Sequence, residues 1–574
     1  MYTASTALLE ALRENGVNYI FANLGSDYPP ILESLAEACS AGRKVPRLLT
    51  CPHEMVALSA AHGFAQVSGK AQAVFVHVDL GTQQLGGAVH NAARGRIPVL
   101  IFAGASPFTQ EGELRGSRNE FIQWVQDVYD QRGIVRGYVK YNNELRTGKN
   151  IRQIVSRALQ IAYSDPKGPV YLMAAREVLE EEVSPVTLDR NEWQPVMPAA
   201  LPAGEASDLL TKLLVARRPL IVTTYLGRNP QAVEEMVRLC RKLSIGVLES
   251  VPTCMNFPAH DPMYQGSQWN EQQQNPILEA ADFVLVLDSD VPWIPLVSHP
   301  QKNATVWHVD VDPLKEQTPL WYIPAKKVFR ADAAQVLKQL NELLQQAAAQ
   351  GKVDARKLED RRTHYAKLHE ARDKELEQRE KPSQDAITPE FLTACIRRRM
   401  NDDTLVANEG ISNYHVITDH LAVRKPGTTF TSGGASLGWS GGAALGMKLA
   451  KPAKTVFSLI GDGSYLFSVP SAVHWMARKY KTPFLQVIYN NGGWRATKFS
   501  TLALHGEGYA SKTEDIGVTL DPPADYSAIA SAAGGAYAEK VSRPQDLELA
   551  LDRALKAVRE EQRCAVLDVV LPHL

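Results

Sequence analysis

The stretch Thr455–Trp494 reads TVFSLIGDGSYLFSVPSAVHWMARKYKTPFLQVIYNNGGW, and it contains two short apolar runs that each stop at a polar turn. The runs TVFSLI and FLQVIY are rich in β-branched and aromatic residues, which is typical of buried parallel strands. Between them, apolar residues from Val469 to Tyr480 recur at the spacing of an α-helix. The stretch therefore predicts a strand, a helix and a second parallel strand.

Polar residues follow both predicted strands. Asp462 comes after the first and Asn491 after the second, so both are expected at the carboxyl edge of the sheet, where ligands bind in open α/β folds. A carboxylate, an amide oxygen and a backbone carbonyl suit Mg²⁺ or Ca²⁺, and Mg²⁺ usually adds phosphate and water. Gly463 and Ser464 place backbone N–H groups at a helix start, which suits phosphate. The pattern predicts a divalent cation that binds a diphosphate. Taken separately, the turn at Asp462 and the turn at Asn491 would each be explained by an ordinary surface turn.

Strands and helices alternate in three consecutive blocks, which predicts an α/β fold of three doubly wound parallel-sheet domains. We place a first domain at 1–188, a central Rossmann-like domain at 203–345 and a third domain at 384–574. The segment 346–383 is charged and nearly free of Gly and Pro, which is typical of a solvated helical linker. The first and third blocks are candidates for a structural duplication whose sequences have diverged.

The composition excludes several classes of partner. Lys and Arg total 62 against 63 Asp and Glu, so there is no basic excess to bind nucleic acid or an anionic membrane. No apolar run reaches the roughly 18 residues of a membrane span, and the N-terminus is amphipathic rather than a signal peptide. Six scattered cysteines without a CxxC pair argue against a disulfide framework or structural zinc. We expect a cytoplasmic protein.

The GDGS…NN pattern resembles the thiamine diphosphate signature of the acetolactate synthase and benzoylformate decarboxylase superfamily, and the resemblance covers nearly the whole chain. It implies that Asp462 and the Asn491 side chain bind Mg²⁺, with the Gly493 carbonyl as third ligand. Gly463 and Ser464 would then contact the cofactor. The spacing from Asp to the second Asn is slightly longer than in acetolactate synthases, so Asn490 stays a weaker candidate ligand.

The resemblance also names the two cofactor-binding domains, with a pyrimidine-binding domain first and a diphosphate-binding domain third. The superfamily needs a helical Glu that hydrogen-bonds the aminopyrimidine ring, and CPHEMVALSAAHGFAQVSGK supplies Glu54 among small residues. Taken alone, this residue would be better explained as a solvated Glu in a first helical turn, but together with the GDGS…NN pattern we favour the catalytic role.

Two further segments resemble cofactor contacts. TSGGASLGWSGGAALG places Leu437 where a bulky apolar residue bends the cofactor, and the Ala435 carbonyl where it accepts from the 4′-amino group. Acetolactate synthases usually have Met at the position of Leu437. ANEGISNYH places Ser412 against the terminal phosphate. A Gly-rich helix start and an ordinary helix cap remain the structural alternatives.

The candidate substrate residues follow from resemblance to benzoylformate decarboxylases. In FANLGSDYPPI, Ser26 matches a Ser that touches the substrate carboxylate, and in VFVHVDLGTQQ, His77 matches a catalytic His. Lone histidines are more often structural, so His77 has both interpretations open. Gln84, in the same turn, is a candidate contact for cofactor or substrate. Trp494 and Arg495, just past the metal turn, are weaker candidates for the substrate pocket.

The resemblance implies an enzyme that uses thiamine diphosphate and Mg²⁺ to cleave or form C–C bonds next to a carbonyl. The leading hypothesis is 2-oxo acid decarboxylation with carboligation, as in acetolactate synthases. The alternative is a non-oxidative 2-oxo acid decarboxylase of the benzoylformate type or a 2-hydroxyacyl lyase, which Ser26, His77 and Leu437 favour. A Rossmann-type dehydrogenase and a catalytically inactive cofactor-binding paralogue are the remaining alternatives. The absence of GxGxxG and the presence of Glu54 argue against the first, and the intact Glu54, Asp462 and Asn491 against the second.

The expected partner molecules are a 2-oxo acid or 2-hydroxy ketone and further copies of the chain. In this superfamily the first domain of one subunit faces the third domain of another, which implies a homodimer or homotetramer with active sites between subunits. FAD in the central domain is left open but has no supporting motif, because TTYLGRNP after its first strand is not GxGxxG.

Overall fold

The backbone of the computed structural model forms three six-stranded sheets in which neighbouring strands run parallel. The structure describes residues 2–513 and 515–573. Helices flank the sheets, and the central strands are buried along most of their length, which explains their continuous apolar runs. This arrangement confirms the predicted α/β fold of three parallel-sheet domains.

The first sheet has the strand order β2-β1-β3-β4-β6-β5. Its strands are β1 (Tyr19–Asn23), β2 (Arg47–Thr50), β3 (Ala73–Val76), β4 (Leu100–Ala105), β5 (Tyr141–Glu144) and β6 (Val170–Ala175). Its helices are α1 (Ala4–Glu14), α2 (Pro29–Ser40), α3 (Glu54–Ser68), α4 (Val78–Gln84), α5 (Gly86–Arg94), α6 (Ile122–Val125), α7 (Ile151–Tyr163) and α8 (Arg176–Leu179).

The central sheet has the order β12-β11-β10-β7-β8-β9, which is the Rossmann order read from one side. Its strands are β7 (Pro219–Thr223), β8 (Gly246–Ser250), β9 (Tyr264–Gln268), β10 (Phe283–Leu287), β11 (Thr305–Asp310) and β12 (Lys327–Arg330). Its helices are α9 (Ala203–Val215), α10 (Pro230–Leu243), α11 (Pro276–Ala280) and α12 (Ala333–Ala349), with α13 (Ala355–Arg379) following them.

The third sheet has the order β14-β13-β15-β16-β18-β17, the same pattern of connections as the first sheet. Its strands are β13 (Thr404–Glu409), β14 (Thr429–Phe430), β15 (Thr455–Gly461), β16 (Leu485–Asn490), β17 (Tyr537–Val541) and β18 (Ala565–Val570). Its helices are α14 (Pro389–Arg397), α15 (Tyr414–Leu421), α16 (Trp439–Ala450), α17 (Asp462–Phe467), α18 (Pro470–Tyr480), α19 (Arg495–Leu504), α20 (Tyr526–Gly534) and α21 (Pro544–Arg559).

Helices α3 and α16 join the first and third domains through small residues. A Cβ atom at Gly63 would clash with the Ala443 carbonyl oxygen, and one at Gly446 would clash with the Ala60 carbonyl oxygen. The two helix backbones therefore approach so closely that only glycine fits at these points. This contact fixes helix α3, which begins with Glu54, against helix α16, which follows the Gly-rich stretch.

The charged linker differs from a fully solvated helix. One stripe of α13 is buried against the central domain: Arg361 donates to the carbonyls of Leu213 and Leu243 at 2.9 and 3.0 Å, and Tyr365 donates to the Pro219 carbonyl at 2.7 Å. Arg361 satisfies carbonyls near the ends of two helices, which have no intrahelical donor of their own. In the part of the chain that the structure describes, no helix has the length and apolar character of a membrane span.

Candidate active site

The carboxyl edge of the third sheet gathers the predicted metal residues. Asp462 follows β15 and is 2% exposed. Its two carboxylate oxygens accept from the backbone N–H groups of Gly463 and Gly492, both at 2.9 Å. The Asn491 amide donates to Ser412 Oγ at 3.2 Å and accepts from the Gly493 N–H at 3.3 Å. Five predicted site residues from three neighbouring loops are thus brought together: Asp462, Gly463, Asn491, Gly493 and Ser412.

The charge of Asp462 has no protein counter-ion. Burial raises the pKa of this carboxyl group to about 6, because few groups nearby replace its hydration. Within residues 2–513 and 515–573, no Lys, Arg or His nitrogen lies within the 4.0 Å of a salt bridge to it. A buried carboxylate beside an amide oxygen fits a hard divalent cation, which would supply the missing positive charge. The residues present therefore fit Mg²⁺.

The Asn490 side chain is already hydrogen-bonded to other protein groups, which favours Asn491 as the metal ligand. The Asn490 amide donates to Asp568 Oδ1 at 2.8 Å on the neighbouring strand β18, and its oxygen accepts from the Gly492 N–H at 3.2 Å. The Gly493 carbonyl, the predicted third ligand, accepts from the Arg495 N–H at 3.0 Å and keeps its second lone pair.

The turn after Asn491 requires glycine. Gly493 has a φ of 155° and lies so close to the Val518 carbonyl that a Cβ atom would clash there. The Trp494 ring packs over Gly463, where a Cβ atom would clash with it. Arg495 lies 5.1 Å from the centre of the Phe499 ring. Trp494 thus covers the loop that is predicted to hold the diphosphate, and Ser464 beside it is buried.

The Gly-rich stretch before α16 is held by the first domain and by a buried acid. Asn91 of α5 donates to the Ser436 carbonyl and accepts from the Ser436 N–H, both at 2.9 Å.

Glu409 accepts from the N–H groups of Gly438 and Ser440 at 2.5 and 2.6 Å, and burial raises its pKa to about 7. Within this stretch Ala435 has a left-handed φ of 57°, and Leu437, two residues further on, is half-buried. Glu409 was not predicted, although it lies inside the quoted segment ANEGISNYH.

The carboxyl edge of the first sheet holds Glu54. Glu54 is the first residue of α3 and is 5% exposed, so it is not the solvated acid of the structural alternative. Its Oε1 accepts from the Asn23 amide at 2.9 Å, and a Cβ atom at Gly81 would lie 3.1 Å from the same oxygen. Gly81 thus leaves room beside the carboxylate.

His77 follows β3 and has two side-chain partners. Its Nδ1 lies 2.6 Å from Asp27 Oδ1, and its Nε2 lies 3.0 Å from Gln126 Oε1. Burial lowers the His77 pKa, but the hydrogen bond and charge of Asp27 outweigh this effect, so the pKa lies above its ordinary value. Oxygen atoms of Asp27 and Gln126 therefore face the two ring nitrogens, and both can accept when the ring is protonated. Asp27 and Gln126 were not predicted: Asp27 adjoins Ser26 in the quoted motif, while Gln126 lies nearly fifty residues away without any motif.

The other two predicted residues of the first domain differ in their surroundings. The Ser26 hydroxyl is buried and has no hydrogen-bond partner among the described residues, so it is available to a ligand. Val78, next to His77, has a strained φ of 31° and its N–H donates to Asp27 at 3.3 Å. Gln84, the last residue of α4, has an exposed side chain and is not brought to the other candidates by any hydrogen bond among the described residues.

Comparison with protein-family models gives matches along most of the chain. The models match three segments: the N-terminal TPP binding domain of thiamine pyrophosphate enzymes at residues 2–134, their central domain at 206–340 and their C-terminal TPP binding domain at 410–569.

Two curated relatives match nearly end to end at low identity. Benzoylformate decarboxylase of Pseudomonas aeruginosa is 25% identical over 567 residues, covering 97% of this chain and 98% of the relative. The acetolactate synthase isozyme 3 large subunit of Escherichia coli is 24% identical over 588 residues, covering 100% and 95%. Among solved structures, the thiamine diphosphate-dependent 4-hydroxybenzoylformate decarboxylase of Rhodococcus jostii superposes with a TM-score of 0.78 at 22% identity, covering 100% of this chain and 99% of that one. This superposition supports the fold alone.

Proposed function

The chain belongs to the thiamine pyrophosphate enzymes, and we propose that it uses thiamine diphosphate with Mg²⁺ to decarboxylate a 2-oxo acid. The observation that carries the proposal is the buried Asp462 carboxylate, which accepts from the Gly492 N–H beside Asn491 and has no cation within salt-bridge distance among the described residues. When bound, thiamine diphosphate supplies the carbon nucleophile and the electron sink for breaking a bond beside a carbonyl.

The third domain would hold the metal and the diphosphate. In this proposal Asp462, the Asn491 amide oxygen and the Gly493 carbonyl bind Mg²⁺. Ser412 and the loop of Gly463 and Ser464 contact the phosphates. The support for these roles is the convergence of the three loops at the β13, β15 and β16 ends.

The cofactor ring would lie between the first domain and the Gly-rich stretch. Glu54 would hydrogen-bond the aminopyrimidine ring, the Ala435 carbonyl would accept from its amino group, and Leu437 would pack against the cofactor. The left-handed turn at Ala435 and the burial of Glu54 support these roles.

The polar residues after β1 and β3 would act on the substrate. The unpartnered Ser26 hydroxyl donates to the substrate carboxylate, and His77 holds the proton that ends the reaction by releasing an aldehyde. Asp27 orients His77 and raises its pKa, which favours the protonated ring. The weaker candidates Gln84, Trp494 and Arg495 complete the pocket. If a second carbonyl compound takes the place of this proton, the product is a 2-hydroxy ketone or acetohydroxy acid, as in a carboligase.

The active sites are proposed to lie between subunits of a homodimer or homotetramer in the cytoplasm. Support comes from apolar side chains in and around α6, directly beside His77, that are exposed in the single chain: Phe121 is 79% exposed and Val125 74% exposed. Such a patch marks an interaction surface. The domain limits 1–188, 203–345, 346–383 and 384–574 are part of the same proposal.

The test is a product analysis of the loaded enzyme. The purified protein is incubated with thiamine diphosphate, Mg²⁺ and either pyruvate or benzoylformate, with and without FAD, and products are identified by mass spectrometry. Free aldehyde is expected, and its formation should be lost in His77→Gln while CO₂ release persists. Acetolactate from pyruvate would instead assign carboligation. A loaded enzyme that releases no CO₂ from a panel of aliphatic and aromatic 2-oxo acids would overturn the proposal.

A further inference from the structure

The carboxyl edge of the central sheet carries a cluster of acids. Asp288 and Asp290 follow β10, and Asp310 ends β11. These strands adjoin the switch point between β7 and β10, the crevice where nucleotides bind in Rossmann-like sheets. Three carboxylates at this place would repel the phosphates of a nucleotide.

The acids are neutralised by cations of the chain itself. Arg96, from the turn between α5 and β4 of the first domain, lies 2.9 Å from Asp290 Oδ1 and 3.0 Å from Asp310 Oδ1. Lys315 lies 2.8 Å from Asp290 and 2.7 Å from Asp310. Arg228 bonds Asp288 at 3.3 Å. Arg228 also bonds Asp165 at 2.6 Å, so three cations face four anions.

Several contacts hold the buried Arg96 side chain in place. It is 7% exposed, its guanidinium carbon lies 4.3 Å from the centre of the Tyr225 ring, and its backbone has a left-handed φ of 56°. The Tyr225 hydroxyl in turn lies 2.8 Å from Asp290 Oδ2 and 3.1 Å from the Arg94 carbonyl oxygen, two acceptors that share its single proton. Removing one member would leave buried charges unpaired, which is strongly unfavourable.

The turn that carries Arg96 also touches the stretch expected to hold the cofactor ring. A Cβ atom at Gly433 would clash with the backbone of Gly95, so the two turns are in direct contact. In helix α5, immediately before this turn, His90 Nε2 lies 3.1 Å from the Gly434 carbonyl, and Asn91 bonds Ser436. A shift of the Arg96 turn would therefore move the stretch from 432 to 437.

We propose that the central crevice is a docking site for Arg96 rather than a nucleotide site, and that Arg96 positions the 432–437 stretch for the cofactor ring. The docking role of Arg96 is argued from the ion network alone. Its positioning role rests on the function proposed above.

The experiment compares Arg96→Met with the matched control Arg94→Met. Arg94 is two residues away, but among residues 2–513 and 515–573 its guanidinium donates only to Thr318 Oγ1 at 3.1 Å and the Gln317 carbonyl at 2.9 Å. Thiamine diphosphate binding in Mg²⁺ is measured by calorimetry. Arg96→Met should weaken it by about tenfold or more, a loss of about 1.4 kcal/mol. Arg94→Met should stay near wild type, and Arg96→Lys should recover part of the loss because it restores the charge. Unchanged affinity in a folded Arg96→Met variant would overturn the positioning role.

Nucleotide titration tests the docking role separately. Wild-type protein is titrated with ADP and with FAD, and no saturable binding is expected. One-to-one binding that Arg96→Met abolishes would overturn the proposal. If Arg96→Met does not fold, the milder Asp290→Asn variant replaces it and should lower the melting temperature without creating nucleotide binding. If wild-type protein binds no thiamine diphosphate, the proposed function has failed, whereas the nucleotide titration still decides the docking role.

Discussion

The carboxyl edges of the central and third sheets carry the same kind of residue with opposite consequences. In the third sheet, Asp462 is buried without a basic partner within salt-bridge distance in the described chain. In the central sheet, Asp290 and Asp310 are paired with Arg96 and Lys315. Parallel sheets place strand ends at one edge in both cases, so the fold alone does not separate a ligand site from a structural ion network. The two edges differ in the source of the positive charge: Arg96 and Lys315 supply it in the central sheet, and a bound cation is proposed to supply it in the third sheet.

The pKa values of Asp462 and Asp290 express this difference, whereas Asp288, which lies 3.3 Å from Arg228, keeps a raised pKa of about 6 because its burial outweighs the nearby cations. Burial raises the pKa of Asp462 to about 6. Burial would also raise the pKa of Asp290, but Arg96 and Lys315 outweigh it, and the pKa lies below its ordinary value. A carboxylate that is buried, charged at neutral pH and unpaired calls for an external cation. A carboxylate that is already paired needs no external cation.

The largest effect is expected from Asp462→Ala. Removing the charged ligand should abolish Mg²⁺-dependent cofactor binding and reduce turnover of any accepted 2-oxo acid to background. Asp546→Ala, which removes an exposed acid of α21, is the control and should keep full activity. An active Asp462→Ala enzyme would show that this edge is not the metal site, and the contrast between the two edges would lose its basis.

The second effect concerns Glu54→Gln. The amide keeps the size of the side chain but removes the charge that is expected to act on the aminopyrimidine ring, so turnover should fall by about 10²–10⁴-fold. Cofactor affinity, measured by calorimetry, should remain close to wild type because the metal edge is intact. Turnover equal to wild type would remove Glu54 from the reaction.

The third effect is a shift in pH dependence. Asp27 raises the His77 pKa, so the protonated ring persists to higher pH and is lost as pH rises through that pKa. Asp27→Asn should move the alkaline limb of kcat to lower pH and reduce turnover at neutral pH by about tenfold or more. The control Asp130→Asn changes an exposed acid of the same domain. If the alkaline limb of kcat stays at the same pH in Asp27→Asn, His77 does not supply the proton.

The smallest effect is a thermal shift that separates the two edges. Cofactor and Mg²⁺ at 100 times Kd should stabilise the protein by about 2.7 kcal/mol, which is roughly 5–11 °C for a domain of 150–250 residues. Asp290→Asn should start from a lower melting temperature yet show the same shift. Asp462→Ala should show none. A shift lost in Asp290→Asn and kept in Asp462→Ala would reverse the assignment of the two edges.

Much of the fold could be predicted because the buried strands carry continuous apolar runs. The strands at the outer positions of the sheets carry a weaker signal: β5 reads YNNE, β12 reads KVFR and β17 reads YAEKV. Such strands lie at edges, are half-exposed and alternate or lack apolar residues, so their sequences resemble loops. Strand β6, by contrast, reads VYLMAA and is fully buried.

Within the site, residues adjacent in a motif were predictable and distant partners were not. Asp462, Asn491 and Ser412 follow strands that the pattern identifies, and the structure brings them together. Gln126 meets His77 and Arg96 meets Asp290 only through folding of segments 49 and 194 residues apart. No local pattern encodes such contacts. Their roles, like those of the motif residues, remain predictions until measured.

The most direct test uses Mn²⁺, which accepts the same hard oxygen ligands as Mg²⁺ and is visible by electron paramagnetic resonance. Wild-type protein, Asp462→Ala and Asp290→Ala are each titrated with Mn²⁺ in the presence of thiamine diphosphate. We predict one bound Mn²⁺ per chain in wild type and in folded Asp290→Ala, and none in Asp462→Ala. Bound Mn²⁺ that survives Asp462→Ala would contradict the assignment of the third-sheet edge as the cofactor–metal site.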